Sequence, residues 1–392
     1  MPLQPDRAFQ WHTSARLFDG LGREQRPVPS GTPAIVDRPS TVALALALAA
    51  PNGFRIGGDG PPPSPGPCPM FETLTSGSTG TPRHIRRTQA SWIASFNVNA
   101  RLFGIGPGAR VAVLGRLVHS VALYGAMEAM HLGAEAHLLD DLRPDRQRKV
   151  LADRQISHLY ATPAQLRMLA EAGAPACSAL RVVLVGGSKL DQSLRAAVQV
   201  MAPFARILEF YGAAETSFVT LSDSTTIEGS VGSPYPGVAI DIRDGEIWVQ
   251  SAYLFSAYPQ EDGGARWHDG WVSVGEVGRI EDGNLYLSGR AGRMVTVADQ
   301  NVFPEEVELL MATLPGIRQV AVLPVADVRR GTVLVAVVMG DRRQEPAILA
   351  ATRAALGPLK GPKALIWRDD WPALASGKTD LAALQRGLIW PI

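Results

Sequence analysis

Cysteine is nearly missing from this chain: Cys68 and Cys177 stand far apart in 392 residues. That excludes a disulfide framework, and neither cysteine sits at metal-ligand spacing. The seven histidines are scattered too, so no structural zinc site is expected. Neither sign of charge dominates, with 38 basic residues against 37 acidic and a net charge of +1. Such balance provides no global field for nucleic acid or an anionic membrane. Long apolar runs are also missing. Val42 to Ala50 is too short to span a bilayer, and Asp6 and Arg7 lead into polar residues in place of a signal core. A cytoplasmic protein is expected.

What is present is ordinary for a folded protein: 46% hydrophobic and 19% charged residues. The length suggests two domains, one of them large. Residues 51–70, rich in proline and glycine, read as a loop or linker after a helix over Thr41–Ala50. Strand and helix patterns then alternate. Strands are expected at Phe71–Leu74, Arg110–Leu114, His158–Ala161, Arg181–Val185 and Arg206–Tyr211. Helices are expected at Gln89–Phe103, Ser120–Leu132, Pro163–Ala172 and Asp191–Met201. The alternation predicts an α/β fold with a largely parallel, helix-flanked sheet. Ser120–Leu132 is apolar on nearly all sides and is expected to be buried. From Gly237 to Gly289, Asp-Gly pairs mark turns of an antiparallel β-rich subdomain. Beyond Arg290 a small α+β unit is expected, with helices Pro304–Thr313 and Ala347–Leu356 and strands Gln319–Pro324, Thr332–Met339 and Ala364–Trp367. The domain boundary is placed between 290 and 291, giving domains 1–290 and 291–392.

Four segments carry chemistry. Thr75 to Arg83, TSGSTGTPR, follows a strand. Its glycines let the backbone approach an anion, and its hydroxyls and N–H groups donate to phosphate oxygens. Arg83 and Arg86 add positive charge. Alone, such a loop reads equally as a flexible linker, and it lacks the lysine placement of a GxxxxGK[ST] loop. At the end of another strand stands Glu209-Phe210-Tyr211-Gly212-Ala213-Ala214-Glu215-Thr216. Tyr211 offers a flat face for a purine, Gly212 allows close approach, and Glu215 can hold Mg²⁺. Glu276, with Arg290 further on, suits ribose hydroxyls, since a carboxylate accepts two hydrogen bonds. Lys378, beside Gly377, can reach an anion. Each of the last three alone reads better as an ordinary junction, hairpin or surface lysine.

In combination and in order, TSGSTGTPR, EFYGAAET, DGWVSVGEVGRIEDGNLYLSGR, NVFPEEVE and SGKTD resemble the adenylate-forming superfamily of acyl- and aryl-CoA synthetases, luciferases and peptide-synthetase adenylation domains. The resemblance runs from about Phe71 to Lys378. It implies a large N-terminal domain and a small mobile C-terminal one. It implies that Thr75, Ser76, Gly77, Ser78, Thr79 and Gly80, with Arg83, hold the β and γ phosphates of ATP. Gly186, Gly187 and Ser188 would sandwich adenine with Glu209, Phe210, Tyr211 and Gly212. Thr216 would meet the α-phosphate or acyl carboxylate, Glu215 the Mg²⁺, and Glu276 and Arg290 the ribose side. Lys378 would bridge carboxylate and α-phosphate, and His119 would sit near the acyl carboxylate. Asn301 to Glu308 would line the thiol tunnel after rotation about a hinge at Gly292.

Four departures from the family pattern stand out. Arg83 replaces a lysine, Glu276 an aspartate, Gly292 an acidic residue or lysine, and Asp299 a glycine of the thiol-step segment. Only about seventy residues precede the phosphate loop, so much of the usual N-terminal subdomain is expected to be missing. No acid stands early in the helix after His119, which disfavours an amino acid substrate, because a buried ammonium needs a carboxylate. Leu123, Tyr124, Met127 and Ala213 suggest an apolar pocket with a polar tip, suited to an aryl or medium acyl acid. The short form resembles bacterial p-coumarate- and hydroxybenzoate-type CoA ligases. The resemblance implies CoA as acceptor, with a carrier protein as alternative and a non-catalytic nucleotide-binding protein as the remaining one.

Overall fold

The computed structural model describes residues 6–29, 36–50, 53–61, 63–75, 83–259, 263–297, 300–327, 331–374 and 378–388. Ser76 to Gly80, Asp299 and Gly377 lie outside them. The described chain forms two compact units. The first takes residues up to 75, 83–240 and 249–272; the second takes 241–248 and those from 273 onward.

In chain order the first unit begins with β1 (Arg16–Phe18), β2 (Glu24–Gln25), α1 (Ser40–Leu48), β3 (Met70–Leu74), β4 (His84–Thr88) and α2 (Gln89–Phe103). There follow β5 (Arg110–Val113), α3 (Ser120–Leu132), β6 (Glu135–Leu138), α4 (Pro144–Asp153), β7 (His158–Ala161), α5 (Pro163–Glu171), β8 (Val182–Val185) and α6 (Gln192–Met201). Then come β9 (Arg206–Ala213), β10 (Ser217–Ser222) and β11 (Ser233–Pro234), followed by β12 (Ala239–Arg243) and β13 (Glu246–Gln250), which each have most of their residues in the second unit, and by β14 (Arg266–His268) and β15 (Trp271–Ser273).

A nine-stranded sheet runs β11-β10-β9-β8-β7-β5-β6-β1-β2. From β9 to β1 all pairings are parallel, and antiparallel strands close both ends. Alternation places Val111, Val113, Tyr160, Val182 and Leu184 on one face, in a core shared with α2 and α3. Ala112, Leu159, Ala161, Val183 and Val185 face the other way, against Leu166, Leu194 and Val198. With helices on both sides, the central parallel strands are largely apolar on both faces, as β8 (VVLV) shows most clearly. Helix α3 is buried from Ala122 to Met130, as its all-round apolarity predicts. Gly125 is required there, since a Cβ would come within 3.1 Å of the Tyr160 ring and Val113.

Two expectations need correction. Among its described residues the proline- and glycine-rich stretch has no helix and no strand before Met70, yet it is no free linker: Phe54, Arg55 and Ile56 are buried. Phe54 stacks on Phe71 with centroids 5.6 Å apart, and Arg55 pairs with buried Glu72 at 3.0 Å. Arg86, read as a phosphate-side charge, instead donates to Glu72 Oε1 at 2.8 and 3.2 Å. A carboxylate that is 2% exposed requires such partners.

The second unit continues with β16 (Glu276–Glu281), β17 (Asn284–Arg290), β18 (Val295–Val297), β19 (Gln300–Val302), α7 (Pro304–Ala312), β20 (Ile317–Asp327), β21 (Gly331–Gly340), α8 (Glu345–Lys360), β22 (Leu365–Trp367) and α9 (Leu381–Arg386). Its sheet runs β20-β21-β22. Val322, Leu334, Ala336 and Val338 face Val307, Met311 and Ile348; Ala321, Leu323, Val333, Val335 and Val337 face Leu384. Both faces are covered, so the middles of β20 (Val320–Ala326) and β21 (Val333–Met339) carry no polar side chain. In α8 the helical backbone breaks at Gly357 (φ 81°) before Pro358, next to the expected end at Leu356. The β16–β17 hairpin groups with this unit. Gly289 lies so close to Phe303 and Glu305 that a Cβ would approach each at 2.8 Å. The compact unit therefore begins upstream of the 290/291 division drawn from sequence.

Candidate active site

In the first unit, β3 and β4 form an antiparallel hairpin with Leu74 opposite His84. Its neck is closed by the Thr75 N–H on the Arg83 carbonyl (2.9 Å) and the Arg83 N–H on Thr75 Oγ1 (3.3 Å). Both ends of the proposed phosphate loop are thereby fixed. Arg83 Nη1 donates to the Gly263 carbonyl at 2.7 Å. Leu74 makes a parallel bridge to His119, the N-cap of α3, and Thr73 Oγ1 lies 3.0 Å from Ser120 Oγ. His119 therefore stands beside the neck of the loop. Burial, then Arg116, lower its pKa, so the imidazole is neutral at neutral pH.

The β9–β10 hairpin carries the second cluster. Its turn is closed by the Thr216 N–H on the Ala213 carbonyl (3.2 Å) and by Ala213 N–H on Thr216 Oγ1 (3.0 Å). A hydroxyl that accepts one hydrogen bond still carries a hydrogen to donate. Glu215 accepts the Phe255 N–H on its carbonyl at 2.7 Å and the Tyr258 hydroxyl on Oε1 at 2.9 Å. Beneath this turn lies Arg87, fully buried, with no carboxylate partner among the described residues. Its guanidinium donates to the carbonyls of Ala214 and Tyr253, and at 3.4 Å to that of Glu215. Desolvation lowers its pKa to about 9, against the opposing pull of Glu215.

Several residues expected to touch nucleotide have structural partners. Glu209 is buried, accepts the Leu190 N–H and has its pKa raised by burial. It thus anchors the segment after Gly186-Gly187-Ser188. Gly187 has φ +98°, a conformation that suits glycine. The close approach at Gly212 is made by protein: a Cβ there would come within 2.9 Å of the Ser217 carbonyl group. Phe210 packs on Phe218 with centroids 4.5 Å apart. Tyr211 is half-buried in β9, opposite Thr220. Leu123, Tyr124 and Met127, expected to line an acyl pocket, lie in the core. The Tyr124 hydroxyl is already 2.7 Å from Ser95 Oγ and accepts from Asn99 at 3.2 Å. Ala213 remains half-buried at the turn.

In the second unit Glu276 and Arg290 face each other across the β16–β17 pair, with Arg290 Nη2 donating at 3.2 Å. Gly292 has open space around its Cβ position, while Arg293 beside it is clamped by Glu305 (3.1 Å), Glu308 (2.8 Å) and the Val322 carbonyl (3.0 Å). Lys378 is exposed on a bend closed by the Leu374 N–H on its carbonyl (2.8 Å). Sequence reading missed Arg55, Glu72, Arg87 and Tyr258. Charges in the polar run HIRRT gave no apolar alternation to betray β4.

Residues 24–258 match the AMP-binding enzyme family, and residues 306–378 its C-terminal domain. An uncharacterized acyl-CoA ligase, YhfT, of Bacillus subtilis (strain 168) is 31% identical over 82% of this chain and 69% of its own length. A Staphylococcus haemolyticus protein with the provisional name long chain fatty acid-CoA ligase VraA is 29% identical, over 78% and 67%. The amide bond synthetase McbA from Marinactinospora thermotolerans has a similar structure, with TM-score 0.71 and 25% identity, over 81% and 69%. The fold and the paired sequence segments are those of an adenylate-forming enzyme. This chain belongs to the AMP-binding enzyme family.

Proposed function

We propose that the chain activates a small carboxylic acid with ATP, forms an acyl-adenylate with release of pyrophosphate, and passes the acyl group to the thiol of CoA. The observation that carries this reading is that one unit holds the fixed neck Thr75–Arg83 with His119 beside it, and also the Glu215-Thr216 turn, which β4 reaches through Arg87 on the Ala214 carbonyl. A carboxylate attacking phosphorus needs no general base, because it is ionised at neutral pH. What it needs is charge on the phosphate oxygens and alignment. Arg83 and the loop from Ser76 to Gly80 supply donors to the departing phosphates, and Thr216 a hydroxyl toward the reacting end. Neutral His119 borders the acid without repelling or trapping it. Lys378 brings the mobile cation, and Glu276 with Arg290 the ribose contacts. The adenine side belongs to Gly186, Gly187, Ser188, Tyr211 and Phe210, with Glu209 and Gly212 acting from behind.

Magnesium fits this donor set. Among the described residues no cluster of three metal ligands exists, and an ion shared between one carboxylate and a nucleotide's phosphates needs none. Glu215 would hold it, and the ion would neutralise charge on the phosphates. The Tyr124 hydroxyl is satisfied within the core, so the preference for an aryl or medium acyl acid over an amino acid rests on the lack of a carboxylate early in α3. The names of two relatives favour acyl-CoA formation, and one of them a longer acyl chain. The name of McbA favours an amine acceptor in that protein. Rotation about Gly292 would bring the thiol-step segment, Asn301 to Glu308, into play, with a carrier protein as the alternative thiol. Among the described residues no helix is long and apolar enough to cross a membrane. The experiment is acid-dependent pyrophosphate release, followed by addition of CoA. Thioester formation is expected; release with no thiol transfer would remove the second half.

A further inference from the structure

Tyr258 belongs to none of the segments that the family resemblance singles out, yet its hydroxyl donates to Oε1 of Glu215 at 2.9 Å. The placement of the ring is over-determined. A Cβ on Gly263 would overlap it, and Phe255 meets it edge-on with centroids 4.9 Å apart. The main chain leading into it is fixed as well. Ala257 accepts the Arg86 N–H at 2.9 Å, Ser256 donates to the Arg86 carbonyl at 2.8 Å, and Phe255 donates to the Glu215 carbonyl at 2.7 Å. Gly263, under the ring, is also the residue whose carbonyl takes Arg83 Nη1 at 2.7 Å. One tyrosine thus stands between the phosphate-loop arginine and the carboxylate of the β9–β10 turn. A tyrosine hydroxyl keeps its proton at neutral pH, so it stands to the carboxylate as a donor.

Packing accounts for the ring but not for the hydroxyl. A carboxylate on a turn rotates about its side-chain torsions, and a donor fixed from three sides removes that freedom. We propose that Tyr258 is a positioning residue for adenylation: its hydroxyl holds one oxygen of Glu215 in place and leaves the second for the divalent cation that accompanies ATP. The proposal rests on the reading of Glu215 as the metal ligand. Tyr258 itself touches neither phosphate nor acid, and it acts through Glu215.

The test is a Mg²⁺ titration of pyrophosphate release for wild type, Tyr258→Phe, Glu215→Gln and the double variant, with thermal unfolding of each. Phenylalanine keeps the ring on Gly263, so Tyr258→Phe is expected to melt close to wild type. It is expected to raise the Mg²⁺ midpoint roughly tenfold, the factor equivalent to about 1.4 kcal/mol, while the KM for the acid stays unchanged. In the Glu215→Gln background the same change is expected to do nothing further. A shifted midpoint in Glu215→Gln beside a wild-type midpoint in Tyr258→Phe overturns the positioning role and spares the metal reading. Unshifted midpoints in both overturn the metal reading and the proposal with it. A lowered melting temperature with an unmoved Mg²⁺ midpoint assigns Tyr258 to packing alone, which also overturns it.

Discussion

The ring of Phe210 fills the space that a side chain on Gly186 would occupy: a Cβ there would come within 2.7 Å of three ring atoms. Two segments of the proposed adenine site are thus fitted to each other before any nucleotide arrives. Gly186→Ala is expected to push the ring aside, because an aromatic side chain moves more easily than backbone. The stability loss should stay near 1 kcal/mol while the KM for ATP rises. Gly212→Ala meets the Ser217 main chain and should cost more than about 3 kcal/mol. Urea unfolding and ATP saturation curves for the two variants check this, and equal losses in both measurements would contradict the assignment.

Arg87 combines two opposing effects. Burying a guanidinium without a carboxylate is costly, and its pKa near 9 reflects that. Yet it is the donor for the carbonyls of Ala214 and Tyr253, which cannot leave the interior. With each abandoned acceptor costing about 1–3 kcal/mol, the second effect should win. Arg87→Met is expected to lose about 1–3 kcal/mol of stability by chemical denaturation. A methionine variant as stable as wild type would show that the cation contributes nothing net.

The parallel sheet, both core helices flanking its centre and the α+β character of the second unit were legible because their apolar periodicity is strong. Ser120 to Leu132 and the run from Ala321 to Val338 are the clearest cases. The segment from Phe54 to Ile56 was not legible, because its order comes from Arg55 reaching Glu72, a contact no local pattern encodes. The same holds for Arg86, whose charge points to phosphate in sequence and to Glu72 in space. Of the candidate site, the order of segments was readable. The division between residues that face ligand and residues that hold them, Glu209 and Gly212 among the latter, depends on neighbours distant in sequence.

Stability should depend on pH in two directions. Burial pushes the Glu128 carboxyl up to about 8 from 4.5, although Asn99 donates to it at 2.8 Å. Between those values the native state keeps a proton that the unfolded chain has released, so stability falls as pH rises. His131 and His137 are pushed down by burial from 6.5 to about 4 and about 3. They stay neutral where the unfolded chain takes protons, so stability falls as pH drops below 6.5. Urea midpoints measured from about pH 5 to about pH 8 should decline on the alkaline side, and Glu128→Gln should flatten that decline. An unchanged alkaline slope in Glu128→Gln would place the titration elsewhere.

Gly292 sits with open space beside Arg293, which is clamped to Glu305 and Glu308. Proline fixes φ near −65°. Gly292→Pro is therefore expected to spare adenylation and to block transfer from preformed adenylate to CoA. Equal single-turnover transfer rates in variant and wild type would mean that no rotation is needed there. In the same assay Asp299→Gly is expected to speed transfer, since the family pattern keeps that position free of bulk; a slower rate would make Asp299 an acceptor-orienting residue.

Substrate choice separates the remaining possibilities. Aryl acids such as hydroxycinnamates and hydroxybenzoates are expected to outperform amino acids, because no carboxylate stands early in α3 to pair an ammonium. Pyrophosphate release across aryl, medium-chain, long-chain and amino acids checks it. A preference for any amino acid would reject the pocket reading, and a preference for long chains would reject its size.

Adenylate formation itself is tested most directly by acid-dependent pyrophosphate release in wild type and Lys378→Ala. The wild type is expected to release pyrophosphate only when a carboxylic acid is present. Lys378→Ala should bind ATP nearly normally yet lose release by a factor of about 10² or more, the loss of a principal electrostatic stabiliser. Release at the wild-type rate in Lys378→Ala, or release in wild type that does not depend on any acid, would contradict it.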